Sequence, residues 1–386
     1  MTLAYRYLDA SATAPLRPEA QAAMLRVWQQ GQANASSVHQ AGHHAARELE
    51  RARATIASAF GVRPGGVVFT SGGTEANNLA IIGRALAAPR GRHLVTTAIE
   101  HSSVLESCRY LERAHGFELS YLPVDGRGRI VAASIPEVLR ADTTLVAVGL
   151  ANAEVGTVQD LSPLADATRK ARIHLHVDAV QAAPSLPVSL AAGSWPGEGV
   201  DSLALASHKF GGPQGMGALL LPRDVPLEPL IHGGHHEGDR RAGTENVAGA
   251  AGFAAAGEAS RQHLGRDAVA LMSSRDALIA AVFGGVPGAR LTGHATERLP
   301  GHASFVVEGT SGEAILVALD TAGFAVSSGS ACKAGSDEPS PALLAMGIPS
   351  ELARSAIRFT LPAPIDEATI TRIVEVMRGE VVGSRP

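Results

Sequence analysis

Few side chains in this chain can supply a Schiff-base amine or a thiol. Lysine occurs only at 170, 209 and 333, and cysteine only at 108 and 332. Arginine supplies the other positive charge and stays protonated, so an amine that condenses with an aldehyde must come from one of three side chains. Lys209 is the best placed. It follows the apolar run Ser202-Leu-Ala-Leu-Ala in Ser207-His-Lys-Phe-Gly-Gly-Pro, at a strand end among small residues, where desolvation lowers an amine's pKa and raises its nucleophilicity. Cys332 lies in Ser327-Ser-Gly-Ser-Ala-Cys-Lys-Ala-Gly-Ser, a small, polar stretch that reads as a loop rather than a core strand. The adjacent Lys333 either favours the thiolate or only solvates the loop. Cys108, in Leu105-Glu-Ser-Cys-Arg-Tyr-Leu, falls on a helical pattern and reads as a packed thiol. Two cysteines so far apart make neither a disulfide framework nor a zinc site.

Three further segments can serve such an amine. Val67-Val-Phe-Thr-Ser-Gly-Gly-Thr-Glu-Ala-Asn-Asn runs from a strand through a glycine pair into a helix. It reads as a phosphate cradle built from backbone N–H groups at Gly72 and Gly73 and the Thr74 hydroxyl, or as an ordinary strand-to-helix turn. His174-Leu-His-Val-Asp puts Asp178 at the carboxyl end of a buried strand, where it can pair with a protonated ring nitrogen or cap a helix. His101 follows another strand and can stack on a planar ring or move protons, but with fifteen histidines one alone is weak evidence. His232, His235 and His236 have donors suited to a metal, without the accompanying carboxylate spacing, so no metal is expected.

The elements that must position these residues alternate through the first two thirds of the chain. Strands are predicted at Val67–Thr70, His93–Thr97, Leu119–Leu122, Thr144–Leu150, His174–Asp178, Ser202–Ala206 and Ala218–Leu221, with helices at Ala41–Phe60 and Ser162–Arg172. This is the pattern of an α/β domain with a mostly parallel seven-stranded sheet covered on both faces. A long Ala-rich helical stretch from about Asn246 to Val282 follows. Ala303–Val307, Glu313–Ala322, Val326–Ser327 and Ile357–Thr360 then outline a smaller α+β unit. The boundary is placed near residue 255, giving a large domain over 15–255 and a small one over 256–386 that residues 1–14 join. At 386 residues, 45% of them hydrophobic, the chain can bury such a core. The net charge of -4, without blocks of like charge, gives no reason to expect nucleic-acid or membrane binding. The N-terminus lacks a secretory pattern and no apolar stretch is read as long enough to span a bilayer, so a cytoplasmic protein is expected.

Taken together, these segments resemble the cysteine desulfurases of the class V aminotransferase group, fold-type I enzymes dependent on pyridoxal 5'-phosphate (PLP). The resemblance rests on Tyr7-Leu-Asp-Ala-Ser-Ala-Thr-Ala-Pro, Asn34-Ala-Ser-Ser-Val-His, Phe69-Thr-Ser-Gly-Gly-Thr-Glu-Ala-Asn-Asn, Glu100-His101 and Asn152-Ala-Glu-Val-Gly. It continues through His176-Val-Asp-Ala-Val-Gln, Ser207-His-Lys-Phe-Gly-Gly-Pro, Arg241-Ala-Gly-Thr-Glu-Asn, Ser327-Ser-Gly-Ser-Ala-Cys and Ser355-Ala-Ile-Arg-Phe. These fragments run along nearly the whole chain in the family's order.

The resemblance implies that Lys209 holds the PLP aldehyde. It puts Gly73, Thr74, Ser207 and His208 around the phosphate and Thr244 on the phosphate across a homodimer interface. Asp178 would pair with the ring nitrogen, Asn152 and Gln181 would bond the phenolic oxygen, and His101 would stack on the ring. Asn34 and Arg358 would hold the carboxylate of L-cysteine, an arginine fork being suited to that group. Cys332 would take the substrate's sulfur as a persulfide, leaving alanine, with Lys209 or His101 moving protons. Ala35, Ala153 and Gly238 depart from the family's usual residues without removing a reacting group. Selenocysteine or cystine lyases and class V aminotransferases remain alternatives, as does a non-catalytic partner that kept the fold. The sulfur-acceptor protein, whether for iron–sulfur assembly, tRNA or cofactor thiolation or DNA phosphorothioation, is left open.

Overall fold

The computed structural model describes residues 5–31, 33–328 and 338–383. Its strands, in chain order, are β1 (Arg6–Tyr7), β2 (Val67–Thr70), β3 (His93–Thr97), β4 (Glu118–Leu122), β5 (Thr143–Gly149), β6 (His174–Asp178) and β7 (Ser202–Ala206). They continue with β8 (Gly217–Leu220), β9 (Ala289–Leu291), β10 (His302–Val307), β11 (Phe324–Ala325), β12 (Ser327–Ser328) and β13 (Ile357–Thr360). Seven of them form one sheet in the order β2-β8-β7-β6-β5-β3-β4. β8 runs antiparallel to both its neighbours and the rest are parallel. The expected sheet is therefore present, with its third, fourth and seventh strands each shifted by one residue at one or both ends.

Every residue of β6 and β7 is buried, as strands covered on both faces must be, so the polar-apolar alternation of His174-Leu-His-Val-Asp in β6 separates two buried faces rather than core from solvent. One face packs on the helices Gln40–Phe60 and Ser162–Ala171 in a core that includes Phe60, Leu164, Val177, Leu205 and Phe210. The first ends in Gly61 and the second in Arg172, both in the left-handed conformation that terminates a helix. The parallel arrangement sends the ends of β3, β6 and β7, with the turns after them, to one edge of the sheet. Ligands of open α/β sheets collect there.

A second core contains Leu278, Val282, Phe305, Leu319, Phe359 and Ile373. It lies under the antiparallel sheet β12-β13-β10-β9 and includes Leu8 from the N-terminal segment. β1 pairs with β11, and Asp9 bridges to Thr360. The helix Val247–Gly285 crosses residue 255 without a break; Phe253 and Ala256 lie in the first core, Leu278 and Val282 in the second. The same helix corrects one expectation, because by length and composition it is apolar enough to cross a membrane. Its many alanines raise its mean hydropathy without long side chains, so no run of bulky apolar residues marks it. Its buried residues face the two cores.

Candidate active site at the strand ends

The turn after β7 folds as a short 3₁₀ segment, Ser207–Lys209, which brings Lys209 to the carboxyl edge of the sheet. Its amine donates to the carbonyl oxygens of Ser11 and, at 2.9 Å, Ala12. The Gln181 amide donates to the same Ser11 oxygen at 3.0 Å. Both side chains line a cavity of about 480 Å³ whose wall also includes Ser11, His302 and Thr360. Beside the lysine, His208 Nδ1 sits 2.7 Å from the Thr13 hydroxyl. Burial, and then the Lys209 charge, lowers the pKa of this imidazole to about 4.

At the end of β6, Asp178 Oδ2 accepts from Asn77 Nδ2 at 2.7 Å and Oδ1 from the backbone N–H of Val180 at 2.9 Å. Asn77 comes from the helix Gly73–Asn78 that follows the glycine pair. The start of that helix is packed too closely for any larger residue: a Cβ at Gly73 would meet Val180 Cγ2 at 2.6 Å. Glu75 closes the turn from outside, accepting from the Ser71 N–H at 2.7 Å and from Arg241 Nε at 2.9 Å. Ser207 is fully buried, and its hydroxyl has no hydrogen-bond partner among the described residues. A buried hydroxyl in that state fits a ligand oxygen.

His101 begins the helix Ser102–His115, its Nδ1 accepting from the Ser103 N–H at 3.1 Å and lying 2.8 Å from the Ser103 hydroxyl. The preceding Glu100 accepts from the Thr97 hydroxyl at 2.6 Å and from the Gly149 N–H at 2.7 Å. Burial raises its pKa to about 7. Asn152 holds its own turn, accepting from the N–H groups of Glu154 and Val155 and donating to the Ile99 carbonyl at 2.8 Å. Of its amide, one N–H is left for another acceptor.

Arg358, on β13, is buried and pairs with Asp9 at 2.7 Å; Nη1 donates to the Ala153 carbonyl at 3.1 Å, and Nε has no partner among the described residues. Its register partner on β12 is Ser327, from which the chain runs toward Cys332. Cys332 and Lys333 lie outside the described residues. Asn34 and Thr244 line a different cavity, of about 350 Å³, together with Trp28 and Asn246. The structure thus brings Lys209, Gln181, Asp178 and Ser207 to neighbouring strand ends, while Asn34 and Thr244 meet elsewhere. Gly238, one of the departures, has a φ of 64°, which glycine adopts without strain. Sequence reasoning missed Asn77, Ser103 and Asp9 as site residues. Asn77 and Asp9 stood inside quoted motifs, whereas Ser103 had only its place two residues after His101.

The class-V aminotransferase family matches residues 6–372. A cysteine desulfurase IscS of Dictyoglomus turgidum is 41% identical over 92% of this chain and 89% of its own length. Among solved structures, a NifS-like protein superposes with a TM-score of 0.89 at 31% identity, covering 97% of this chain and 98% of that one. SspA, solved in complex with cysteine, has a TM-score of 0.79 at 29% identity over 94% of this chain and all of its own. With most of its length matched and Lys209, Gln181 and Asp178 at neighbouring strand ends, this chain belongs to the class-V aminotransferase family and, within it, to the cysteine desulfurases, which are PLP-dependent.

Proposed function

We propose that this enzyme is a PLP-dependent cysteine desulfurase that moves the sulfur of L-cysteine to Cys332 and releases L-alanine. The observation that carries the reading is the meeting of Lys209, Gln181 and Asp178 at adjacent strand ends, in a chain of this family. These residues fit PLP: an amine for its aldehyde, a carboxylate for its ring nitrogen, and small residues with a buried hydroxyl for its phosphate. When bound, PLP draws electrons from the substrate's α-carbon.

In this reading Lys209 would hold the cofactor aldehyde, and its Nζ would move the proton of the substrate's Cα. Asp178 would keep the ring nitrogen protonated, Gln181 and the remaining Asn152 N–H would bond the phenolic oxygen, and His101 would lie against the ring. Gly73, Thr74, Ser207 and His208 would hold the phosphate. Arg358 would bind the substrate carboxylate; Asn34, which lines the same separate cavity as Thr244, would reach a substrate only across a dimer interface. The Cys332 thiolate attacks the substrate's sulfur; the C–S bond breaks, a proton is delivered to the carbon, and Cys332 keeps the outer sulfur as a persulfide, so cysteine and thiol are converted to alanine and persulfide.

A homodimer is part of the proposal, since Thr244 lines a cavity without Lys209 and has Trp28, 48% exposed, beside it. Thr244 would then serve the partner's phosphate. A sulfur-acceptor protein would consume the persulfide. The test is product analysis with PLP, cysteine and a thiol reductant: alanine and sulfide should form in equal amounts and both should be lost in Cys332→Ala. Pyruvate in place of alanine, or full activity of Cys332→Ala, would reject it in favour of a lyase.

A further inference from the structure

A chain of hydrogen bonds, buried at Asn77 and Ser103, joins Asp178 to His101 through residues that no step above uses. Asn77 is its hub. Its amide nitrogen lies 2.7 Å from Asp178 Oδ2 and 2.9 Å from Ser103 Oγ, and its oxygen lies 2.9 Å from His176 Nε2. A flipped amide would set its oxygen against the Asp178 carboxylate, acceptor against acceptor, so the nitrogen must face Asp178. His176 therefore carries its proton on Nε2, and Nδ1 accepts from the Ser202 hydroxyl at 2.9 Å. Ser202 in turn accepts from His174 Nε2 at 2.9 Å. Burial lowers the His176 pKa to about 4, which keeps the ring neutral and this direction single at higher pH.

On the other side of the hub, Ser103 Oγ accepts from Asn77, which leaves its hydroxyl proton for His101 Nδ1 at 2.8 Å. The Ser103 backbone N–H points at the same nitrogen. A nitrogen that accepts from two donors has no place for a proton, so a neutral His101 holds its proton on Nε2.

We propose that Asn77 is a positioning residue: oriented by His176, it fixes the Asp178 carboxylate and, through Ser103, locks His101 in the Nε2–H tautomer. The desulfurase reading supplies what Asp178 and His101 touch; the tautomer itself follows from the hydrogen bonds alone. Within that reading, His101 offers a proton from Nε2 and has no basic nitrogen available on that edge. Proton abstraction at Cα is then left to Lys209.

The experiment is ¹⁵N NMR of the full chain labelled at histidine, with and without PLP, the His101 signals being assigned by their loss in His101→Gln. The wild type should show His101 protonated at Nε2 and bare at Nδ1. Asn77→Ala should convert it to a mixture of tautomers and weaken PLP binding, followed by cofactor absorption, by about tenfold, the size of one hydrogen bond to a charged group. Ser103→Ala should move the His101 signals in the same direction with a smaller loss of PLP affinity. A wild-type His101 protonated at Nδ1, a measurement that needs no positioning variant to fold, would overturn the proposal. So would an Asn77→Ala protein with wild-type His101 signals and PLP affinity. If the wild type shows the expected tautomer yet binds no PLP, the desulfurase reading fails while the tautomer lock stands.

Discussion

The two walls of the site are built differently. On the sheet side, Asp178, Asn77 and Ser103 are buried and hold one another and the more exposed His101 through strand ends and a helix start. On the opposite side, an N-terminal strap does the holding: Asp9 pairs with Arg358, Ser11 accepts from Lys209 and Gln181, and Thr13 meets His208. Those strap contacts span 170 to 349 residues of sequence. The first wall is set by the fold of one domain, the second by how a terminal segment and the second core are brought against it. Changes in the sheet wall should therefore alter cofactor chemistry, and changes in the strap should alter substrate affinity and stability.

Lys209→Ala breaks the link between the walls and carries the largest expected effect, a fall in alanine formation on the order of 10³-fold, measured in steady state with added PLP. Arg358→Lys keeps the charge but loses the planar fork; KM for cysteine should rise about tenfold with a smaller change in kcat. Asp9→Asn leaves the arginine buried without its counter-ion. It should cost about 3 kcal/mol in urea unfolding and raise KM, while PLP affinity stays near wild type; a loss of PLP affinity instead would erase the distinction between the walls.

The last expected effect is a pH dependence. Burial raises the Glu100 pKa to about 7, so the folded state keeps that proton where the unfolded chain has lost it. The stability this carboxyl contributes is full at low pH and declines as pH rises from about 4.5, its ordinary value, to about 7. Glu100→Gln should remove that decline. The comparison of unfolding free energies at several pH values checks it, and the opposite sign would mean that Glu100 is ionised throughout.

The same contrast explains what could be read in the sequence. The sheet wall is local: glycine pairs, buried apolar runs and the residue at each strand end stand close together along the chain, so Gly73, Asp178 and Lys209 were legible from type and position. The strap was not. Nothing in the spacing of Asp9 or Ser11 tells that they meet Arg358 and Lys209, because those meetings depend on β1 pairing with β11 and on Asp9 bridging to Thr360. Asn77 hid for another reason. A buried amide on a helix reads as an ordinary polar residue until its three partners, 26 to 101 residues away, are known. The helix Val247–Gly285 misled because alanine makes a span apolar without bulk.

The central claim, that sulfur passes from cysteine to Cys332, is tested most directly by mass spectrometry of the PLP-loaded protein after a single turnover with cysteine and no reductant. The peptide containing Cys332 should gain the mass of one sulfur atom, released by reductant, with one alanine formed for each persulfide and no gain on Cys108. Alanine formed at the wild-type rate with Cys332 unmodified, or the sulfur found on Cys108, would contradict the account.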